Sequence, residues 1–171
     1  MRRVRYSVAM SLDGYIAGPK GESDWIVMDP DIDFNALFNA FDTILMGRKT
    51  YEVTRQPGSE GGMPGIQSYV FSRTLRPEDC PGVIVSDNPK ETISDLKSRA
   101  GKDIWLFGGG SLFSSLLGLG LVDSVEVAII PVLLGGGVPL LAPLADRAKL
   151  KLINHRVYEK TGTVIHEYAV S

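Results

Sequence analysis

The spacing of apolar positions switches repeatedly between two periods along this chain. Residues 4–10 (VRYSVAM) alternate apolar with polar, as a half-buried strand does, and 43–47 (TILMG) form a short apolar run of the buried-strand kind. Between them, 34–41 (FNALFNAF) place Phe34, Leu37, Phe38 and Phe41 at i, i+3, i+4 and i+7, one apolar helical stripe. Three further strands are expected at 68–72, 82–86 and 103–108, with a helix from about Lys90 to Ala100 between the last two. Another helix should open at the first glycine triplet, Gly108 to Gly110, and end near Gly118 or Gly120. After the apolar run 124–134, residues 150–170 read as a hairpin turned at Glu159–Gly162.

Strands alternating with helices imply an α/β fold, a mostly parallel sheet covered on both faces, to which the last hairpin adds an antiparallel edge. The length of 171 residues suits one domain over 1–171. The Gly- and Pro-rich segment 55–65 is expected to be a flexible loop beside a site or an interface.

Composition excludes more than it selects. Apolar residues make up 44% and charged residues 22%, average for a globular chain, and 18 basic against 20 acidic side chains leave a net charge of -2. Nothing there favours nucleic acid or an anionic membrane as partner. A single cysteine, Cys80, removes internal disulfides and cysteine-cluster metal sites. His155 and His166 lack metal-ligand spacing, so no metal is expected. The first residues lack the apolar core of a signal peptide, and no run spans a bilayer, which points to a cytoplasmic protein.

Glycines at the carboxyl end of a strand, opening a helix, let backbone N–H groups meet an anion at the positive end of the helix dipole. Residues 108–113 read Gly-Gly-Gly-Ser-Leu-Phe, with Phe113 where a dinucleotide fingerprint would carry its third glycine, so a tight, closely packed turn is the alternative. A second strand end, 45–52 (LMGRKTYE), puts Arg48, Lys49 and Thr50 at a helix start, where cations oppose the dipole and invite an anion. A third, 71–74 (FSRT), offers two hydroxyls and a guanidinium fork, although Arg73 could be only a solvated surface side chain. In an open parallel sheet, three such ends would converge on one dinucleotide cleft.

The stretches VAMSLDGYIAG, FDTILMGRKTYE, FSRT and LFGGGSLFSSLLGLGLVDSVEVAIIPVLLGGGVPL together resemble the dihydrofolate reductase superfamily. Within it they are most similar to the reductase domain of riboflavin biosynthesis and its stand-alone bacterial relatives. The resemblance implies a dihydrofolate reductase-like fold, a sheet of about eight strands with helices on both faces, and NADPH as cofactor. By this resemblance Gly47, Arg48, Lys49 and Thr50 hold the cofactor phosphates, and Ser72, Arg73 and Thr74 grip the adenosine side, where positive charge favours a 2'-phosphate. Gly108, Gly109, Gly110, Ser111 and Leu112 seat the pyrophosphate, and Ala9, Ile16 and Ala17 lie near the nicotinamide. Relatives on this branch are commonly homodimers, for which the apolar stretch 128–144 is the expected surface; a buried strand with a packed loop is its other reading.

Hydride transfer often needs a group that directs a proton. Asp29, Asp31 and Asp33 precede the phenylalanine stripe. Continued as helix, that turn would put Asp31 about 70° from the stripe's centre and Asp33 about 90° on the other side. Asp31 is the first candidate and Asp33 the second, with helix capping the non-catalytic alternative. Trp25 matches a loop tryptophan near the substrate in folate reductases. The sequence departs from riboflavin reductases in having TYEVTRQPGSEGG where they continue into Asp-Asn-Pro, and it holds no zinc-deaminase motif. The expected reaction is hydride transfer to a small planar heterocycle such as a pterin or flavin precursor. A riboflavin-pathway pyrimidine reductase and a non-catalytic NADP-binding protein are the alternatives.

Overall fold

Alternation along each central strand divides its side chains between two helix-covered faces, and this division organises the fold. The computed structural model describes residues 1–55 and 64–171; most of the glycine-rich 55–65 segment lies outside the described residues. The strands are β1 (Val4–Ser11), β2 (Tyr15–Ala17), β3 (Phe41–Gly47), β4 (Gln67–Phe71), β5 (Ile84–Ser86), β6 (Asp103–Gly108), β7 (Ser124–Ile130), β8 (Val138–Pro139), β9 (Leu150–Tyr158) and β10 (Thr163–Val170). The α-helices are α1 (Phe34–Asn39), α2 (Arg48–Thr54), α3 (Pro89–Ser98) and α4 (Gly110–Gly118).

Among the described residues, eight strands form one sheet in the order β5-β4-β3-β6-β1-β7-β10-β9, and β2 pairs with β8 apart from it. Pairings from β5 through β7 are parallel, whereas β10 runs antiparallel to both β7 and β9. The expected mostly parallel α/β sheet with an antiparallel terminal hairpin is therefore the observed one.

On one face Val4, Tyr6, Leu45, Ile104 and Leu106 pack under Ile93 and Leu96 of α3 and Phe113 and Leu116 of α4. The Tyr6 and Phe113 rings stack there, with centroids 3.9 Å apart. On the other face Ile44, Met46, Val70 and Trp105 meet Tyr51 of α2, with Leu37 of α1 against them.

The stripe expected over 34–41 splits at its end. Helix α1 stops at Asn39, and Phe41 opens β3, where its ring stacks on Trp105 at 5.4 Å. Segment 128–144 divides: residues 128–130 belong to β7, Leu140 and Leu141 pack on the first core, and Leu133 and Val138 are exposed. Further exposed apolar side chains lie on β9, at Leu150, Leu152, Ile153 and Val157.

Candidate functional site

Three strand ends lie side by side. Met46 is paired with Gly108 across β3 and β6, and Gly47 with Phe71 across β3 and β4. Helix α2 leaves β3 toward one face and α4 leaves β6 toward the other, since Tyr51 and Phe113 enter opposite cores. The gap between β3 and β6 is thus a switch point, the place where open α/β sheets bind ligands. A Cβ on Gly109 would lie 3.3 Å from Thr50 Oγ1, and one on Gly47 would lie 3.9 Å from Leu112 Cβ, so the 47–50 and 108–112 segments adjoin.

The two helices that open on this gap start differently from the others. Asp33 caps α1 by accepting from Ala36 N, and Asn88 caps α3 by accepting from Glu91 N. Helices α2 and α4 begin after Gly47 and Gly109 with no side-chain cap, so no capping side chain takes up their first-turn N–H groups. Arg48 is half engaged, paired with Glu52 one turn on at 3.1 Å, and Lys49 is exposed.

Packing alone already requires glycine at one position of the triplet. A Cβ on Gly110 would sit 2.9 Å from Pro139 O and 3.0 Å from Leu141 Cα, so the 139–141 backbone passing over the turn already requires glycine there. In the second triplet, Gly137 packs on the Ala17 carbonyl in the same way, at a φ of +145°. Both triplets serve close packing, while Gly109 borders the cleft.

Ser72 lies one residue past the Phe71–Gly47 pair and accepts from Thr74 N at 3.1 Å and Leu75 N at 3.0 Å, which folds 72–75 into a tight turn. Arg73 and Thr74 are exposed on that turn. Ala9 pairs with Ala128 near the end of β1, while Ile16 and Ala17 sit on β2 against β8. Asp13 fixes these loops together: its carboxylate accepts from Ser11 Oγ and from the N–H groups of Leu134 and Gly135. Those bonds, from Ser11 foremost, hold its pKa below the ordinary carboxylate value.

The three aspartates before α1 have three separate environments. Asp29 is fully buried and accepts from Asp31 N, Thr161 N and Thr161 Oγ1. Burial alone would raise its pKa, but these donors and nearby Lys160 outweigh it and keep the value lowered. Asp31 lies outside the helix and pairs on the surface with Lys160 at 2.8 Å, which raises the lysine's pKa. Asp33 caps α1 and also lines a cavity. Trp25 donates its indole N–H locally, to Glu22 O at 3.0 Å.

That cavity, about 210 Å³, lies between α1 and the half of the sheet made by β1, β7, β10 and β9. Its apolar wall is Ile32, Ala36, Leu37, Ala40 and Ile165. Arg5, Asp33, Glu126, Arg156 and Tyr158 supply its polar groups. The sequence reading passed over Arg5, Glu126 and Arg156. The available signal was Glu126 itself, a lone charge inside the apolar run SVEVAII. Among the described residues no group of three or more His, Cys, Asp or Glu could hold a metal, and no helix is long and apolar enough to cross a membrane.

Comparison with known proteins agrees with this architecture. The family described as RibD C-terminal domain matches residues 2–164. The uncharacterized protein YyaP of Bacillus subtilis (strain 168) is 40% identical over 168 residues, covering 92% of this chain and 89% of YyaP. A crystal structure from Shewanella sp. PV-4, assigned by name to riboflavin biosynthesis, superposes with a TM-score of 0.82 at 28% identity and covers 100% of this chain and 99% of its own. Dihydrofolate reductase from Enterococcus faecalis, solved with NADP(H), shares the fold, with a TM-score of 0.72 at 16% identity over 99% of this chain and 96% of its own.

Proposed function

The chain belongs to the RibD C-terminal domain family, and from that premise we propose that it is an NADPH-dependent reductase acting on a small planar heterocycle. The observation that carries the reading is the meeting of Gly47–Thr50 with Gly108–Leu112 at the β3/β6 switch point, under two helices that no side chain caps. The fit to a dinucleotide is chemical. Uncapped N–H groups and the Thr50 hydroxyl suit a pyrophosphate, and the exposed Arg73 on the adjoining Ser72–Thr74 turn suits a 2'-phosphate. Bound there, NADPH would supply a hydride to a carbon of the acceptor.

The chain's own residues do the rest. Asp13 holds the loop that carries Ile16 and Ala17 against 134–137, which fixes the floor on which a nicotinamide would rest beside Ala9. Helix α1 and its cavity, on the face where Ala36 and Leu37 oppose the sheet, offer a partly apolar place for a flat acceptor. Of the candidate carboxylates, Asp33 lines that cavity while capping α1, and is taken here as the group to direct a proton ahead of Asp31, which pairs with Lys160, with Trp25 in the adjoining loop.

A riboflavin-pathway pyrimidine is the second reading, favoured by the family match. The homodimer expected from the sequence is kept, with the exposed Leu133 and Val138 of 128–144 and the apolar side chains of β9 as surfaces open to it; a monomer mass by light scattering would remove it. The function is tested by loss of reduced-nicotinamide absorbance on adding candidate heterocycles, the phosphorylated ribosylamino-pyrimidine among them. Acceptor-dependent oxidation of NADPH is expected. Binding of NADPH with no oxidation by any acceptor would leave a nucleotide-binding protein without catalysis.

A further inference from the structure

The terminal hairpin brings together two side chains that sequence spacing keeps apart. Strands β9 and β10 pair antiparallel with His155 directly opposite His166. Opposed residues on antiparallel strands share a face, with Cβ atoms roughly 4.5–5.5 Å apart. Two imidazoles so placed can reach one metal ion, whose bonds to histidine nitrogen are about 2.0–2.1 Å long. The face is the one that carries Val127, because His166 is paired with Val127 across β10 and β7, and Val127 belongs to the first core. It is therefore the opposite side of the sheet from Glu126 and the cavity beside α1.

The two rings are held differently. His166 is half-buried, and its Nδ1 lies 3.1 Å from the Tyr168 hydroxyl, with the two rings edge to face at 5.9 Å. With the proton on Nδ1 donated to the Tyr168 oxygen, Nε2 keeps its lone pair for a metal. A hydrogen bond of this kind on the second nitrogen is what orients metal-binding histidines in general. His155 is exposed, so its ring can turn toward the same point. The register pairs on either side are Val157 with Val164 and Leu152 with Tyr168, which place no charge beside the histidines. Arg156 alternates to the other face and lines the cavity there.

We propose that His155 and His166 form a two-histidine site for a divalent late first-row metal ion, with water completing the coordination. Imidazole suits Zn²⁺, Cu²⁺ and Ni²⁺, whereas Mg²⁺ and Ca²⁺ take oxygen ligands. Among the described residues no third His, Cys, Asp or Glu joins the pair, so the site is open and exchangeable, unlike a closed structural zinc centre. Its place gives it a role. Strand β9 is the edge of the sheet and is held by β10 alone, so an ion bound at this pair clips the middle of the edge strand to its neighbour. The site is independent of the reductase reading.

The test is calorimetric titration of the full chain, carrying no histidine tag, with ZnCl₂, and with MgCl₂ as comparator. Zn²⁺ should bind at one ion per chain and slow amide hydrogen exchange along β9, and Mg²⁺ should do neither. His155→Gln and His166→Gln should each weaken Zn²⁺ binding by about tenfold or more, because a chelate gains from the high local concentration of its second ligand. The exchange Lys151→His with His155→Lys keeps the composition and moves one imidazole to the opposite face, across from Ala169. Both positions are exposed, so the fold should survive, and binding should fall as far as in the single variants. Failure of Zn²⁺ to bind, undiminished binding by the exchanged chain or by either glutamine variant, equal binding of Mg²⁺, or unchanged β9 exchange at saturation overturns the proposal.

Discussion

Asp29 and Thr161, 132 positions apart in sequence, are joined by two hydrogen bonds, the carboxylate accepting from both the N–H and the hydroxyl of the threonine. The link ties the loop before α1 to the turn of the β9–β10 hairpin, and so helps hold the cavity between them.

Because its hydrogen bonds and nearby Lys160 hold the folded pKa of Asp29 below the ordinary carboxylate value, the unfolded chain binds the proton more readily. Its stabilisation is complete above about pH 4 and is lost as pH falls through the depressed value. Asp29→Asn should lower Tm by several degrees at neutral pH and flatten part of the acid limb of the stability curve. Thermal melts from pH 7 to pH 3 check this; an unchanged acid limb would refute it.

Gly110 and Gly109 should separate packing from binding. Gly110→Ala pushes a Cβ onto the 139–141 backbone and should cost roughly 1–3 kcal/mol of stability by overpacking. At Gly109 the nearest atom is the Thr50 hydroxyl at 3.3 Å, so Gly109→Ala should cost less stability and reduce NADPH affinity more. Urea denaturation beside nucleotide titration distinguishes the two.

Asp33→Asn keeps a good N-cap and removes a charge from the cavity. Stability should change by under about 1 kcal/mol, while acceptor turnover falls tenfold or more with the KM for NADPH unchanged. Steady-state kinetics of NADPH oxidation decide it. A full-rate Asp33→Asn enzyme would return the role to another group.

Much of this was legible because period and punctuation carry it. The short apolar run in 103–108 and the glycines after it announced β6 and α4, and Glu159–Gly162 announced the hairpin turn. What was hidden is what arises only when distant segments meet. Asp29 had no assigned role beside the ranked Asp31 and Asp33, since its partner Thr161 is distant in sequence, and Asp31 was assigned a helical angle although the helix starts only after its cap at Asp33. Arg5, Glu126 and Arg156 come from three strands, and no local pattern marks them as neighbours. Likewise the partner that packs on Gly110 was hidden because the 139–141 crossing lies about 30 residues away.

The most direct measurement is titration of the protein with NADPH and with NADH, following tryptophan fluorescence, with Arg73→Ala in parallel. NADPH should bind more tightly than NADH, and the substitution should weaken NADPH by roughly tenfold or more while leaving NADH nearly unchanged. If neither nucleotide binds, the cleft between β3 and β6 is a packing feature and the reductase account is wrong.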